Sequence, residues 1–306
     1  MMASTLLAID AGGTKTDLLW AQPDEHLLAR REGRGINLAS KPPGAWQEIL
    51  EEVFDGAGVD RESVEVVCAG VAGYTLPDRR ELFEHLLQQM LPRARVILLP
   101  DYAIALEGAT GGAPGVLVIA GTGSIACGRD REGRMMRAGG WGYLLGDEGS
   151  GFWIGREAVR AVLAASEGWG ERTVLGDTLA EALGGADCGE WLSALYRTQN
   201  PPSLLAQLAP LVAEAAERGD VQANRILSNA AHHLAALVIH VANHLHLPED
   251  FPVCTVGGVW KSRGVLLQRF REQLATHLPD WHGEVKPPLY SPVEGALLVA
   301  QRMRWA

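Results

Sequence analysis

The chain has 306 residues, with 47% hydrophobic and 21% charged positions and a formal net charge of −10. That describes a soluble globular protein of one or two domains with ample length for a buried core. The acidic balance argues against a nucleic-acid or anionic-membrane surface. No apolar run approaches the roughly 20 residues of a membrane span, and no basic region followed by an apolar core marks a signal peptide.

The first predicted element is the apolar run Leu6-Leu7-Ala8-Ile9, ending in Asp10 and followed by Ala11-Gly12-Gly13-Thr14-Lys15-Thr16-Asp17. Leu18-Leu19-Trp20 then resumes the apolar pattern. Short apolar flanks suit strands, so the middle reads as a hairpin turn. Its exposed N–H groups and Thr hydroxyls can hold a phosphate, and the carboxylate at the strand end can hold Mg²⁺. A strand follows, so this is neither a Walker A loop nor a dinucleotide Gly-x-Gly-x-x-Gly. An ordinary β-hairpin stays open as the alternative on these residues alone.

A third strand is predicted at 27–31, then a glycine-rich loop at 33–38 containing Asn37. Pro42 and Pro43 start an amphipathic helix through Trp46, Ile49, Leu50 and Val53. Residues 64–73 read as a strand running into a small-residue loop, and 77–91 as a helix with Leu82, Phe83, Leu86, Leu87 and Met90 on one face. The run Val96-Ile97-Leu98-Leu99 fits a strand buried on both faces. It ends in Pro100-Asp101, where another helix begins. Strands followed by alternating helix and strand make an α/β layer structure.

The pattern then repeats. A strand at 116–119 ends in Ala120-Gly121-Thr122-Gly123-Ser124, and a strand resumes at 125–128. This second Gly/Thr hairpin is the main organisational clue, since two similar halves could clasp one phosphate chain. Residues 139–155 carry seven glycines around Asp147 and Glu148, followed by a helix to about 165. One reading is a compact loop packed by Trp141 and Trp153. The other is a loop that brings backbone and Asp147 close to a small polar ligand.

Residues 171–246 are rich in helix. His240 and His244 sit four apart on a predicted helix at 221–246, but no His-Glu-x-x-His or third ligand accompanies them, so they read as histidines along a helical face. Cys68, Cys127, Cys188 and Cys254 are scattered without a Cys-x-x-Cys pair, as free thiols of a reducing cytoplasm are. Residues 251–260 read as a strand ending in Gly257-Gly258, with a helix from about Ser262 to 277. Such a junction lets a base or ribose approach the backbone, or is the tight turn of any β–α unit. A small-residue helix closes the chain, with Ser291 as cap and Pro292 as its first residue.

Five of these motifs stand in an order and spacing that resembles the N-acetylglucosamine kinase / BadF-BadG-BcrA-BcrD ATPase family, within the sugar kinase–actin–Hsp70 superfamily. They are Asp10-Ala-Gly-Gly-Thr14, Pro100-Asp101, Gly121-Thr-Gly-Ser124, Gly139-Gly-Trp-Gly142 with Gly146-Asp-Glu-Gly-Ser150, and Val256-Gly-Gly-Val-Trp-Lys261. The resemblance implies an α/β fold of two ribonuclease-H-like, actin/hexokinase-type domains around a central cleft. The boundaries expected are 1–110, completed by a C-terminal helix at 291–306, and 111–290.

The activity implied is transfer of the ATP γ-phosphoryl to an amino sugar, above all to the 6-hydroxyl of N-acetylglucosamine. Gly12, Gly13, Thr14, Gly121 and Thr122 would bind the phosphates, Gly257 and Gly258 the adenosine side, and Asp10 would hold Mg²⁺ through water. Asp101 would be the general base. Asn37, Ser124, Gly140, Trp141 and Asp147 would contact the sugar, with Glu148 as the alternative to Asp147. The resemblance also implies a cytoplasmic enzyme with no nucleic-acid or membrane partner, and a homodimer is common among such relatives. Two rivals follow. One is an ATPase that activates an acyl-CoA dehydratase or reductase through an iron–sulfur cluster, for which no suitably placed cysteines stand here. The other is a sugar- or nucleotide-binding protein without turnover, which should lack Asp101.

Overall fold

The computed structural model describes residues 4–24, 26–185, 187–261 and 264–304. The chain divides into two compact units, residues 1–113 with 288–306, and residues 114–287.

The first unit opens with β1 (Thr5–Ala11), β2 (Lys15–Ala21) and β3 (Leu27–Arg34), a meander, followed by α1 (Pro43–Ala57), β4 (Val64–Val71), α2 (Pro77–Met90), β5 (Arg95–Pro100) and α3 (Asp101–Thr110). Its sheet has the order β3-β2-β1-β4-β5, antiparallel across the meander and parallel from β1 through β5. The continuous apolar run of β1 has a simple cause. Leu7, Ile9 and Ala11 join a core with Trp46, Phe54, Phe83 and Leu87 from α1 and α2. Leu6 and Ala8, one residue out of phase, join Ile104 of α3 and residues of the C-terminal helix on the opposite face.

Two expectations are corrected in this unit. β5 is partly buried along most of its length, not enclosed on both faces. It lies at the sheet edge, with β4 as its one strand neighbour, and an apolar run does not encode how many strands flank it. Leu82 is 51% exposed, and the buried residues of α2 are Phe83, Leu87 and Met90, spaced four and three apart.

In the second unit β6 (Gly115–Ala120), β7 (Ser124–Arg129) and β8 (Met135–Gly139) form another meander. Six helices follow: α4 (Gly151–Ser166), α5 (Leu175–Leu183), α6 (Cys188–Arg197), α7 (Pro201–Ala206), α8 (Ala209–Glu217) and α9 (Val221–His244). Then come β9 (Val253–Val256), α10 (Val265–His277) and the short β10 (Val285–Lys286). The sheet order, β8-β7-β6-β9-β10, repeats that of the first unit strand for strand. Val116, Val118 and Ala120 of β6 pack into one core with α4, α5 and α8 to α10.

Two boundaries differ from expectation. α9 stops at His244, two residues early, and His246 has a left-handed φ of 49°. β9 ends at Val256, and Gly258–Lys261 is a 3₁₀ turn rather than strand. The helix start expected at Ser262 lies outside the described residues. Among the described residues no helix is long and apolar enough to cross a membrane, and no group of three or more His, Cys, Asp or Glu could hold a metal ion. His240 and His244 stay on the exposed face of α9.

The chain returns to the first unit as α11 (Pro292–Arg304). Pro292 is its first residue, and Glu294 accepts from the backbone N–H (2.8 Å) and hydroxyl (2.5 Å) of Ser291. α11 packs on α3 at a contact that admits no side chain, because a Cβ on Gly295 would lie 2.1 Å from the Ile104 carbonyl oxygen. An ion pair between Arg302 and the buried Glu107 of α3 ties the helix down.

Candidate active site

In the first unit the candidate residues gather at the C-terminal ends of parallel strands, where open α/β sheets bind ligands. Asp10 stands one residue before the end of β1 and pairs in register with Gly70 of β4, which pairs with Leu99 of β5. Asp101 follows Pro100 and opens α3. The two acids are thus separated by one strand, roughly 10 Å at ordinary strand spacing. Asp10 shares its strand phase with Leu6 and Ala8, which face α3 and α11. Asp17, its cross-strand partner on β2, lies on that same face.

Asp10 and Asp17 are therefore neighbours on this face, with Asp101 at the strand end beyond β4. Asp17 is buried and receives Arg30 through two hydrogen bonds, Nε to Oδ1 at 3.2 Å and Nη2 to Oδ2 at 2.6 Å. Burial pushes Asp10 up to about 7, and the charges of Asp101 and Asp17 add to the rise, while Lys15 opposes it. Burial likewise raises Asp101 above the ordinary carboxylate range, against the Tyr102 N–H, which donates to its Oδ1 at 2.8 Å.

The turn beside Asp10 is closed by the Gly12 N–H donating to the Lys15 carbonyl at 2.9 Å, which leaves Gly13 and Thr14 exposed. Asn37 flanks it. Its Oδ1 accepts the Ala39 N–H at 2.8 Å, so the amide NH₂ is the part left for a ligand. That Nδ2 would lie 3.7 Å from a Cβ placed on Gly13. Gly35, which sequence reasoning missed, holds this arrangement: its own Cβ would come 2.4 Å from the Gly13 carbonyl oxygen. The first unit thus brings together Asp10, Gly12, Gly13, Thr14, Asn37 and Asp101.

In the second unit the equivalent turn, Gly121-Thr122-Gly123, is closed by the Gly121 N–H donating to Gly123 O at 3.0 Å. The N-terminus of α4 backs it, with the Gly151 and Phe152 N–H groups donating to Gly121 O (2.8 Å) and Thr122 O (3.3 Å). A cavity of about 340 Å³ opens beside this turn, lined by Gly121, Thr122, Gly151, Ser203, Gln207 and Gly258, with Pro210 among its further wall residues. Its volume falls in the range of small-molecule sites. Sequence reasoning placed Gly121, Thr122 and Gly258 there, and missed the wall from α7 and α8, which carries no local motif. Gly257 does not line the cavity. Its φ is 120° and a Cβ would lie 2.1 Å from Ala120 O, so it serves close backbone packing.

Asp147 lies over the same turn. It is 8% exposed, adopts a left-handed φ of 66°, and accepts the Ser124 N–H on Oδ1 at 3.0 Å. Burial raises its proton affinity, the Ser124 N–H opposes this, and the neighbouring Glu148 adds to it. Ser124 is buried, and its hydroxyl donates to the Glu148 carbonyl at 2.8 Å. Gly140, with φ 72°, donates its N–H to Ser124 O at 2.9 Å, so Ser124, Gly140 and Asp147 form one cluster. The Glu148 side chain is directed to the exposed side of the loop. Trp141 is 64% exposed and stacks with Arg137, whose guanidinium carbon is 4.4 Å from the ring centroid. It is therefore not a packing anchor of the loop, a role that Trp153 does fill in the core.

Relatives share this architecture. An N-acetylmuramic acid/N-acetylglucosamine kinase of Clostridium acetobutylicum is 32% identical over 279 residues, 90% of this chain and 91% of its own length. The N-acetyl-D-glucosamine kinase of Dictyostelium discoideum is also 32% identical, with 98% of each chain covered. Among solved structures, a Chromobacterium violaceum protein provisionally named an N-acetylglucosamine kinase superposes with a TM-score of 0.76 at 30% identity, over 97% of this chain and 99% of that one. A ROK family glucokinase from Streptomyces griseus, solved with glucose and AMPPNP, shares the fold at a TM-score of 0.62 and 18% identity, over 98% and 100%. The two five-stranded units thus have the ribonuclease-H-like, actin/hexokinase-type α/β fold. The profile of the BadF/BadG/BcrA/BcrD ATPase family matches residues 7–300, and the chain belongs to that family.

Proposed function

We propose that the protein is an ATP-dependent amino-sugar kinase, most specifically one that phosphorylates the 6-hydroxyl of N-acetylglucosamine; the names of the two 32% identical relatives support the choice of sugar. The observation that carries this reading is the pair Asp10 and Asp101, two partly buried acids with raised proton affinity at parallel strand ends beside an exposed Gly-Gly-Thr turn. Phosphoryl transfer asks a protein mainly for positioning and charge stabilisation, with one base for the attacking hydroxyl.

Asp101 accepts the proton of the sugar hydroxyl as its oxygen attacks the γ-phosphorus, and ADP leaves. Burial suits Asp101 to this role, since a base works best with a pKa drawn toward the working pH. Gly12, Gly13 and Thr14 bind phosphate through the exposed turn, and Gly121 and Thr122 do so at the mouth of the 340 Å³ cavity, whose Gly258 wall takes the adenosine side. Asp10, at the strand end beside the exposed turn, would hold Mg²⁺ through water. Mg²⁺ supplies neutralisation of the triphosphate charge when bound.

For the sugar, Asn37 donates through Nδ2, Gly140 and Asp147 contribute from the loop cluster, and Trp141 offers an open ring face. Ser124 can only accept, because its hydroxyl proton is already given to Glu148 O. Asp147 is preferred to Glu148 because it is the acid fixed on the turn. The buried Cys68, Cys127 and Cys254 lie inside separate strands and favour the kinase over a cluster-bearing ATPase. A cytoplasmic location goes with this reading. A coupled ADP-release assay over N-acetylglucosamine, glucosamine, N-acetylmuramic acid, N-acetylmannosamine and glucose tests it. Sugar-dependent turnover is expected, greatest with N-acetylglucosamine; no stimulation by any sugar overturns the proposal.

A further inference from the structure

Asn37 stands in a loop, not in a strand or helix, yet the proposed chemistry needs its amide held still. Local bonds supply part of the restraint. Asn37 bridges Ala72 in parallel pairing, the Leu38 N–H donates to Ala72 O at 2.9 Å, and the Lys41 N–H returns to Asn37 O at 3.0 Å. Gly73, with φ 81°, lies so close beneath that a Cβ would come 2.6 Å from Ala39 N and 2.9 Å from Asn37 Oδ1.

The remaining restraint comes from a side chain distant in sequence. Arg79, in the first turn of α2, donates Nε to Leu38 O at 2.8 Å and Nη2 to Lys41 O. It thereby grips the loop at Leu38, within the turn that Asn37 makes with Ala39, and at Lys41 just beyond it. The guanidinium is itself fixed, with its carbon 4.9 Å from the ring centroid of the fully buried Trp46. A planar fork that reaches two carbonyls from one rigid support fixes both their separation and their direction, which an ammonium group does not.

We propose that Arg79 is a positioning residue: by clamping the Leu38 and Lys41 carbonyls it holds the Asn37 amide toward the Gly12–Thr14 turn, and so sets the affinity for the sugar. The inference rests on the assignment of Asn37 to the sugar in the proposed function. Displacing a binding group by a fraction of an ångström weakens what it binds. Arg79→Ala should raise the sugar KM about 10-fold, the scale of one charge-assisted hydrogen bond, while kcat and the ATP KM change less than about 2-fold. Arg79→Lys should recover only part of the loss.

The decisive form is a double-mutant cycle with Asn37→Ala. If Arg79 acts through Asn37, Arg79→Ala adds nothing to the sugar KM of Asn37→Ala. Amide hydrogen exchange gives a readout independent of turnover: Arg79→Ala should speed exchange at Ala39, Ser40 and Lys41 and leave the buried amides of α1 protected. Additive KM effects, or unchanged exchange in the loop, overturn the inference. Failure of every sugar to support turnover in the unaltered protein overturns the proposed function instead, and the exchange measurement then still decides whether Arg79 orders the loop.

Discussion

The two glycine-threonine hairpins sit at the same place in two sheets of the same strand order, yet they are built for different work. Four residues, Gly12 to Lys15, connect the paired Ala11 and Thr16 in the first; three, Gly121 to Gly123, connect Ala120 and Ser124 in the second. The first turn lies beside two acids, the partly buried Asp10 on its own strand and the buried Asp17 across from it. At the same distance from the turn the second has Ile119, paired with Ile125, and its acid comes from a distant loop as Asp147. The second turn is backed by the N-terminus of α4 and opens on a cavity. One scaffold therefore presents carboxylates in one copy and backbone groups beside a cavity walled by α7 and α8 in the other. On the proposed reading the first serves proton transfer and cation binding, the second the holding of a nucleotide.

The largest effect should follow from breaking the acidic side. Asp101→Asn keeps shape but cannot accept the hydroxyl proton, so kcat should fall about 10²–10⁴-fold with sugar binding retained, as checked by turnover and calorimetry. In the unaltered enzyme the acid limb of kcat should lie above the ordinary carboxylate range, because burial raises Asp101.

Asp10 gives the next effect, read in stability. Its carboxyl titrates at about 7 when folded and at 3.8 when free. Folding favours the protonated form, so this contribution is full below about 3.8 and lost as pH rises through 7. Asp10→Asn removes the titration. It should be the more stable protein at pH 8 by about 3–4 kcal/mol, with the gap closing toward pH 4, as measured by denaturant unfolding at each pH without added cation.

The nucleotide side depends on backbone packing rather than on acids. Gly257 follows the last paired residue of β9 and packs against Ala120, with a positive φ and no space for a Cβ. Gly257→Ala should therefore lower stability by about 1–3 kcal/mol and weaken ATP binding more than sugar binding. The smallest effect is expected at Glu148, whose side chain is exposed: Glu148→Gln should change sugar kcat/KM less than about 3-fold, whereas Asp147→Asn should cost about 10-fold or more.

The sequence made much of this legible. The two hairpins, the helix beginning at Pro43 and the Ser291–Pro292 start of α11 follow from local chemistry of strand alternation, fixed proline φ and capping. Other features depend on partners far away in the chain. The apolar run of β5 looks the same at an edge as in a sheet centre. Trp141 looks like a packing residue, but Gly139, Gly140 and Gly142, all with positive φ, carry the loop so that the ring meets solvent and Arg137. Asp17 sits at a strand position whose phase is buried, and nothing near it in sequence announces Arg30. Arg79 and the α7–α8 wall of the cavity act across 38 and more positions of chain, through carbonyls and apolar atoms that leave no residue-type signature.

The central claim is that a sugar hydroxyl, not water, receives the phosphoryl group. Phosphorus NMR of the unaltered protein with MgATP and N-acetylglucosamine tests it most directly. The account predicts one sugar phosphomonoester for each ADP formed, with ADP formation dependent on the sugar. ADP and inorganic phosphate appearing at the same rate with and without sugar would contradict it.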